Sequence, residues 1–182
     1  MFNKSKIFVS GATGSWGQTL VTLLLDRYDV EQIICFSRGE LQQVLMKRKF
    51  NNPKLKFVIG DVRDAEAVKF ATKGVDYIFH LAALKHVPVC EENVQETIKT
   101  NINGTTSIVN AAIENRVKKV IDVSSDKAVE PINLYGMTKS REKPPHLTLD
   151  NELKRQQQRT RERAHRPGNM LGPSTNLCQQ SL

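Results

Sequence analysis

Lys6-Ile-Phe-Val-Ser10-Gly11-Ala-Thr-Gly14-Ser-Trp-Gly17 is the stretch on which the reading of this chain turns. Five residues with an apolar centre are followed at once by a loop with glycines at intervals of three. The run Gln18-Thr-Leu20-Val-Thr-Leu-Leu24 then places leucines on one helical stripe. Strand, glycine loop and helix in that order form a phosphate-binding turn. Gly11 permits the tight bend, Gly14 lets a pyrophosphate approach the backbone, and Gly17 lets the helix pack closely. The unpaired N–H groups of the helix start face the same point. Thr13, Ser15 and Trp16 complete the loop, so the segment 11–17 reads as a dinucleotide site.

The same rhythm continues outward. Apolar runs at 31–36, 55–59, 77–81 and 117–123 read as further strands. Helices are expected over 18–28, 39–50, 64–71 and 93–115, with one more starting near Tyr135. Several strands are almost uniformly apolar, as in parallel sheets covered on both faces. The fold class is therefore α/β, a Rossmann-like doubly wound parallel sheet, truncated after the fifth strand and the start of the helix carrying Tyr135. Residues 1–140 form this incomplete nucleotide-binding domain. Pro144-Pro145 should stop the last helix early. Residues 141–182 read as a divergent basic tail without a sixth strand, disordered or out of register, and no substrate domain follows.

At 182 residues, with 39% apolar and 25% charged residues, the composition is that of one globular domain. The formal charge of +8 is spread unevenly: residues 141–182 carry eight Lys or Arg against four Asp or Glu. A solvated segment accounts for that excess better than a nucleic-acid site, because no fold surrounds it. Cys35, Cys90 and Cys178 are far apart, which fits a reducing cytoplasm and excludes a disulfide framework. The four histidines form no metal cluster. No apolar run approaches the length of a signal peptide or a membrane span.

The end of the second strand bears on which dinucleotide binds. A carboxylate there would hold the ribose of NAD, and the chain has Phe36-Ser37-Arg38 instead. Ser37 can hydrogen-bond and Arg38 can pair with a 2′-phosphate, so NADP is expected over NAD. Asp61-Val62 follows the third strand, where a carboxylate can accept from the adenine amine or cap the next helix. The small residues Ala82 and Ala83 after the fourth strand let the backbone approach the cofactor. His80 is expected as a packed strand residue. Lys85 and His86 can face a substrate. Asn101 can hold a backbone group or a water near Tyr135.

Tyr135 and Lys139 stand four residues apart and share a helix face. A nearby ammonium favours phenolate over phenol, so the pair can take a proton from a hydroxyl as the nicotinamide takes hydride. Ser124-Ser125-Asp126-Lys127 lies at the C-terminal end of the fifth strand, where such sheets place chemistry. Opposite charges there supply an additional acid and base, as an elimination of water requires.

Over residues 1–139 the chain resembles the inverting UDP-N-acetylglucosamine 4,6-dehydratases of the extended short-chain dehydrogenase/reductase superfamily. Besides the glycine loop, the residues that carry the resemblance are Phe36-Ser-Arg38, Gly60-Asp-Val-Arg-Asp64, His80 to Cys90, Lys99-Thr-Asn101 and Ser125-Asp-Lys-Ala-Val-Glu-Pro-Ile-Asn-Leu-Tyr-Gly136. The resemblance implies NADP as cofactor, a UDP-N-acetylhexosamine as substrate and a product for envelope or capsular polysaccharide. It implies that Tyr135, helped by Lys139, accepts the 4-hydroxyl proton. It further implies that Lys127 removes the C5 proton and that Asp126 protonates the departing 6-oxygen. Ser125, Lys85 and His86 would contact the sugar nucleotide, and Asn101, Tyr135 and Lys139 would also contact the cofactor. Relatives oligomerise through helices of the nucleotide domain, so a homo-oligomer is expected. On this reading the chain is a dehydratase fragment, inactive unless completed by a separately encoded C-terminal half. UDP-sugar 4-epimerisation, a non-catalytic NADP-binding module and a basic-tailed interaction protein are the alternatives.

Overall fold

A computed structural model describes residues 2–141. Residues 142–182, and with them nearly all of the basic tail and the two prolines expected to end the last helix, lie outside the described residues.

Five strands form one parallel sheet: β1 (Lys6–Ser10), β2 (Gln32–Ser37), β3 (Leu55–Ile59), β4 (Tyr77–His80) and β5 (Lys119–Asp122). Their spatial order is β3-β2-β1-β4-β5, and every pairing is parallel. The order reverses direction at β1, which is the switch point where such sheets bind ligands beyond the strands' carboxyl ends. Register aligns Ser10 with Phe36 on one side and His80 on the other, and His80 with Asp122. One row of residues thus crosses the carboxyl end of the central strands.

Both faces of the sheet are covered, which is why the strands lack alternation. Ile7, Val9, Ile33 and Cys35 pack with Val21, Leu24 and Met46 on one side. Phe8 and Phe36 meet at 5.2 Å between ring centroids. Ile78, Ile108 and Val120 are fully buried. Each such side chain contributes roughly 1.5–3 kcal/mol relative to exposure. Two helices supply much of the first side: α1 (Ser15–Arg27) and α2 (Glu40–Phe50). Helix α3 (Ala65–Ala71) follows β3 and begins at Asp64, whose side chain accepts from the Ala67 N–H.

The long helix expected over 93–115 is broken into parts. A short helix, α4 (Val87–Glu92), precedes the segment, and α5 (Val94–Ile98) opens it. A π-helical turn spans Lys99–Asn103, and α6 (Gly104–Glu114) completes the segment. Apolar periodicity cannot reveal the π turn, because its cause is tertiary. Asn101 is fully buried, and its amide bonds both backbone groups of Leu84 and the Thr138 hydroxyl. An extra residue in the turn fits this inward-facing side chain into the helix. Helix α4 was unexpected; Pro88 sits in its first turn, where a missing N–H costs nothing. The final described helix, α7 (Leu134–Arg141), carries Tyr135 and starts where the sequence places it. The Gly136 N–H donates to the Asn133 side chain, and the Leu134 N–H donates to Glu91. Among the described residues no helix is long and apolar enough to cross a membrane.

Candidate active site

The loop after β1 is built as its glycines require. Gly11 has φ +66°, and a Cβ there would come within 3.0 Å of the Ala82 nitrogen. At Gly17 a Cβ would overlap the backbone of Ala12. Helix α1 can therefore begin directly beneath the loop, with Gly14 as an extended N-cap. No side chain caps this end. Its first N–H groups remain available to an anion.

A cavity of about 560 Å³ opens over the switch point. Of the residues expected to bind a cofactor, Gly11, Thr13, Gly14, Ser37, Arg38, Asp61, Val62, Ala82 and Ala83 line it. Lys85, expected to face substrate, lines it too. Ser15, Trp16, Gly17, Asn101, Tyr135 and Lys139 do not. Trp16 projects outward and is 70% exposed, and Asn101 acts from behind the wall. The sequence reading missed Thr100. The residue lines the cavity, and its hydroxyl oxygen is buried without a hydrogen-bond partner within the described residues. Its only sequence signal is adjacency to Asn101. An orphaned buried hydroxyl on a residue of the wall, a glycine cradle and an uncapped helix start fit an elongated anionic ligand such as a dinucleotide.

The wall near Ser37 is electrostatically mixed. Arg38 lies 3.9 Å from the Asp61 carboxylate. Asp61 in turn receives hydrogen bonds from the backbone and guanidinium of Arg63, and Arg63 also pairs with Glu96. Partial burial raises the Asp61 carboxyl, but the Arg63 hydrogen bonds and the charges of Arg63 and Arg38 outweigh it and hold the group lowered. Asp61 therefore stays anionic on the wall that Arg38 was expected to reserve for a phosphate.

Behind the wall runs a buried polar chain. Ser10 Oγ accepts from the N–H groups of Leu81 and Ala82 and lies 2.6 Å from His80 Nδ1. His80 Nε2 is 3.1 Å from Thr105 Oγ1, whose hydroxyl donates to the Asn101 carbonyl. With the Thr105 proton committed there, His80 Nε2–H is the donor and Nδ1 accepts from Ser10. His80 is thus a neutral, packed strand residue, as the sequence indicated. Burial lowers its pKa to about 4, the Asp122 charge opposing this and the Lys139 charge adding to it.

The residues expected to be catalytic lie on α7 and on the turn packed against it. Asp126–Ala128 form a 3₁₀ turn after β5. Glu130, at φ +49°, reverses the chain into Pro131. Gly136 then sits on the turn so closely that a Cβ would strike the Lys127 carbonyl and press on Pro131. Contact at this one glycine holds Asp126 and Lys127 beside the helix of Tyr135 and Lys139. Lys139 is buried and pairs with Asp122 at 3.7 Å, their side chains 4% and 5% exposed. Nothing in the local pattern marks Asp122 as this partner. Asp126 is open to solvent, its side chain 85% exposed. Hydrogen bonds from Ser125 and the Lys127 backbone, then the Lys127 charge, lower its carboxyl pKa. His86 is exposed at the N-cap of α4. No described group of three or more His, Cys, Asp or Glu could hold a metal ion.

The chain matches the family model described as polysaccharide biosynthesis protein over residues 7–178, beyond the point where the sequence reading ends the resemblance. It is 45% identical over 172 residues to the UDP-N-acetylglucosamine 4,6-dehydratase (inverting) of Campylobacter jejuni, covering 94% of this chain and 51% of that protein. It is 46% identical to a UDP-glucose 4-epimerase of Rickettsia rickettsii, covering 77% of this chain and 42% of that one. Among solved structures, a dTDP-glucose 4,6-dehydratase of Streptomyces venezuelae with NAD bound superposes with a TM-score of 0.67 at 26% identity. That match covers 74% of this chain and 48% of the other. The chain thus spans about half the length of the curated relatives it matches.

These findings correct the cofactor expectation. The Streptomyces structure holds NAD, as do other solved proteins of this fold, and the NADP preference read from Ser37 and Arg38 is overturned. The physical reason is Asp61: it engages the Arg38 charge and opposes a further phosphate on that wall. A glycine-loop Rossmann sheet, a tyrosine–lysine helix seated on an Asp-Lys turn and a match across nearly the whole chain lead to one conclusion: the chain belongs to the polysaccharide biosynthesis protein family.

Proposed function

We propose that this chain is the nucleotide-binding half of an NAD-dependent nucleotide-sugar 4,6-dehydratase acting on a UDP-N-acetylhexosamine. The observation that carries the reading is Gly136, which packs the Tyr135–Lys139 helix directly onto the Asp126-Lys127 turn. An epimerase needs only the first pair, whereas an elimination needs an additional acid and base. Gly11, Thr13, Gly14, Ser37, Asp61, Val62, Ala82, Ala83 and Thr100 would hold the dinucleotide, with Ser15, Trp16 and Gly17 shaping its loop and Asn101 supporting the wall. Bound there, NAD would supply a hydride acceptor for C4 and, once reduced, a hydride donor to C6 after water has left, with C5 then taking a proton that originates in solvent. Tyr135 takes the proton of the 4-hydroxyl, with Lys139 one turn further along the same helix. Lys127 removes the proton at C5, made acidic by the adjacent ketone. Asp126 gives a proton to the 6-oxygen as water leaves. Ser125, Lys85 and His86 contact the sugar nucleotide.

Asp126 is an exposed carboxylate in these residues alone. An acid at neutral pH needs desolvation, which covering of the turn by the other half of the protein would provide. That half and a homo-oligomeric assembly are the proposed partners. A cytoplasmic setting agrees with the buried free thiols of Cys35 and Cys90. The exposure of Asp126 also favours a second reading, 4-epimerisation, which Tyr135 and Lys139 could serve without it.

The test is to join residues 1–141 to the C-terminal half of the Campylobacter relative and supply UDP-N-acetylglucosamine in deuterated water. A 4-keto-6-deoxy product carrying deuterium at C5, with exchange abolished by Lys127→Ala, supports the dehydratase. A 4-epimer without deuterium at C5 would establish the second reading instead.

A further inference from the structure

The buried amide of Gln43 lies outside the chemistry described above. Gln43 stands in the second turn of α2, is 5% exposed, and points beneath the carboxyl ends of β2 and β3. Its Nε2 lies 3.0 Å from the Ser37 carbonyl, 2.8 Å from the Val58 carbonyl and 3.0 Å from the Ser37 hydroxyl oxygen. The two carbonyls fix the orientation of the amide, since turning it over would set oxygen against oxygen. With two protons for three acceptors, one N–H serves Val58 and the other is shared between the Ser37 carbonyl and the Ser37 hydroxyl oxygen; the amide nitrogen cannot accept, so the hydroxyl is the acceptor of this contact.

That arrangement decides what Ser37 can offer. A serine hydroxyl has one proton and two lone pairs. Gln43 occupies a lone pair, so the proton is directed elsewhere, and Ser37 lines the cavity. The Ser37 carbonyl is engaged as well, by Gln43 and by the Gly60 N–H at 3.1 Å. The end of the second strand in this fold is where the adenosine ribose is held, ordinarily by a carboxylate that accepts from its 2′-hydroxyl. Here a hydroxyl polarised to donate takes that place.

We propose that Gln43 is a specificity-determining residue: it sets the Ser37 hydroxyl as a donor into the cavity, selecting a ligand with a hydroxyl oxygen at the ribose 2′ position. Gln43 itself touches no ligand and acts through Ser37. The inference rests on the dinucleotide reading of the cavity. It goes beyond that reading by naming which ligand atom is read and which buried residue arranges it.

The experiment compares NAD with its 2′-deoxyadenosine analogue, each titrated into the 182-residue chain and followed by calorimetry. One neutral hydrogen bond corresponds to roughly a threefold to tenfold preference for NAD in the unsubstituted chain. Gln43→Met and Ser37→Ala should each bring the ratio of the two affinities to about one, and the double variant should go no further. A merely structural role for Gln43 would weaken both ligands alike and keep the ratio, which overturns the proposal. Ser37→Ala leaves both carbonyl partners of Gln43 in place. Survival of the preference in that variant overturns the proposal even if Gln43→Met does not fold. Failure of a cooperatively folded, unsubstituted chain to bind either ligand overturns the dinucleotide reading itself. Equal binding of both ligands by that chain overturns only the inference drawn from Gln43.

Discussion

Acidification should destabilise this domain through His80 before its carboxylates matter. His80 is buried and neutral, with Nδ1 accepting from Ser10 and Nε2 donating to Thr105. A proton on Nδ1 would face the Ser10 hydroxyl proton and charge a ring shut away from water. Burial therefore holds its pKa at about 4, against 6.5 for an ordinary histidine. The folded pKa is the lower one, so the unfolded chain binds more protons between these values. Stability is full above about 6.5 and is lost as pH falls towards about 4. At about 1.4 kcal/mol per pKa unit, the full loss approaches about 3 kcal/mol. Between about pH 7 and about pH 5 it comes to about 2 kcal/mol, a large part of a typical domain's stability. The carboxylates with lowered pKa, Asp61, Asp76, Asp126 and Glu96, lose their contributions mainly below that window. Urea unfolding followed by far-ultraviolet circular dichroism at the two pH values measures the loss directly. His80→Asn should be less stable throughout but nearly flat across the window. Parallel pH dependence in the two proteins would refute the buried neutral histidine.

Other perturbations reach separate parts of the structure. Gly17→Ala should lower stability by about 1–3 kcal/mol and weaken NAD binding at least about tenfold, because the new Cβ overlaps the Ala12 backbone and α1 must move; calorimetric titration checks this. Gly136→Ala should cost about 1–3 kcal/mol and shift the amide resonances of the 126–136 segment while sparing those of the glycine loop. Burial pushes the Cys35 thiol up to about 12, so the peptide containing Cys35 should escape alkylation in the native protein and be modified at the unfolding rate, as read by mass spectrometry.

The parts of this molecule that depend on local pattern were legible in the sequence. Apolar runs marked all five strands, since a sheet buried on both faces needs no alternation. The glycine spacing located the loop, because backbone contact with Ala12 and Ala82 leaves no space for side chains. What stayed hidden depends on distant partners. Arg38 reads as a phosphate ligand until Asp61, from the next strand's end, is seen beside it. The π turn follows from Asn101 bonding Leu84 and Thr138, which are far apart in sequence. Asp122 looks like the last residue of a strand, and only the packing of α7 makes it the partner of Lys139. Gln43 and Thr100 are ordinary helix residues by propensity, and burial alone sets them apart.

The central claim is that these residues form a dinucleotide site, and NAD titration of the 182-residue chain tests it most directly. Trp16, the only tryptophan, stands in the first turn of α1 and projects outward, so calorimetry is the readout of occupancy. The account predicts saturable binding of NAD, tighter than that of NADP and weakened at least about tenfold by Gly17→Ala. A chain that melts cooperatively yet shows no saturable NAD binding would contradict it.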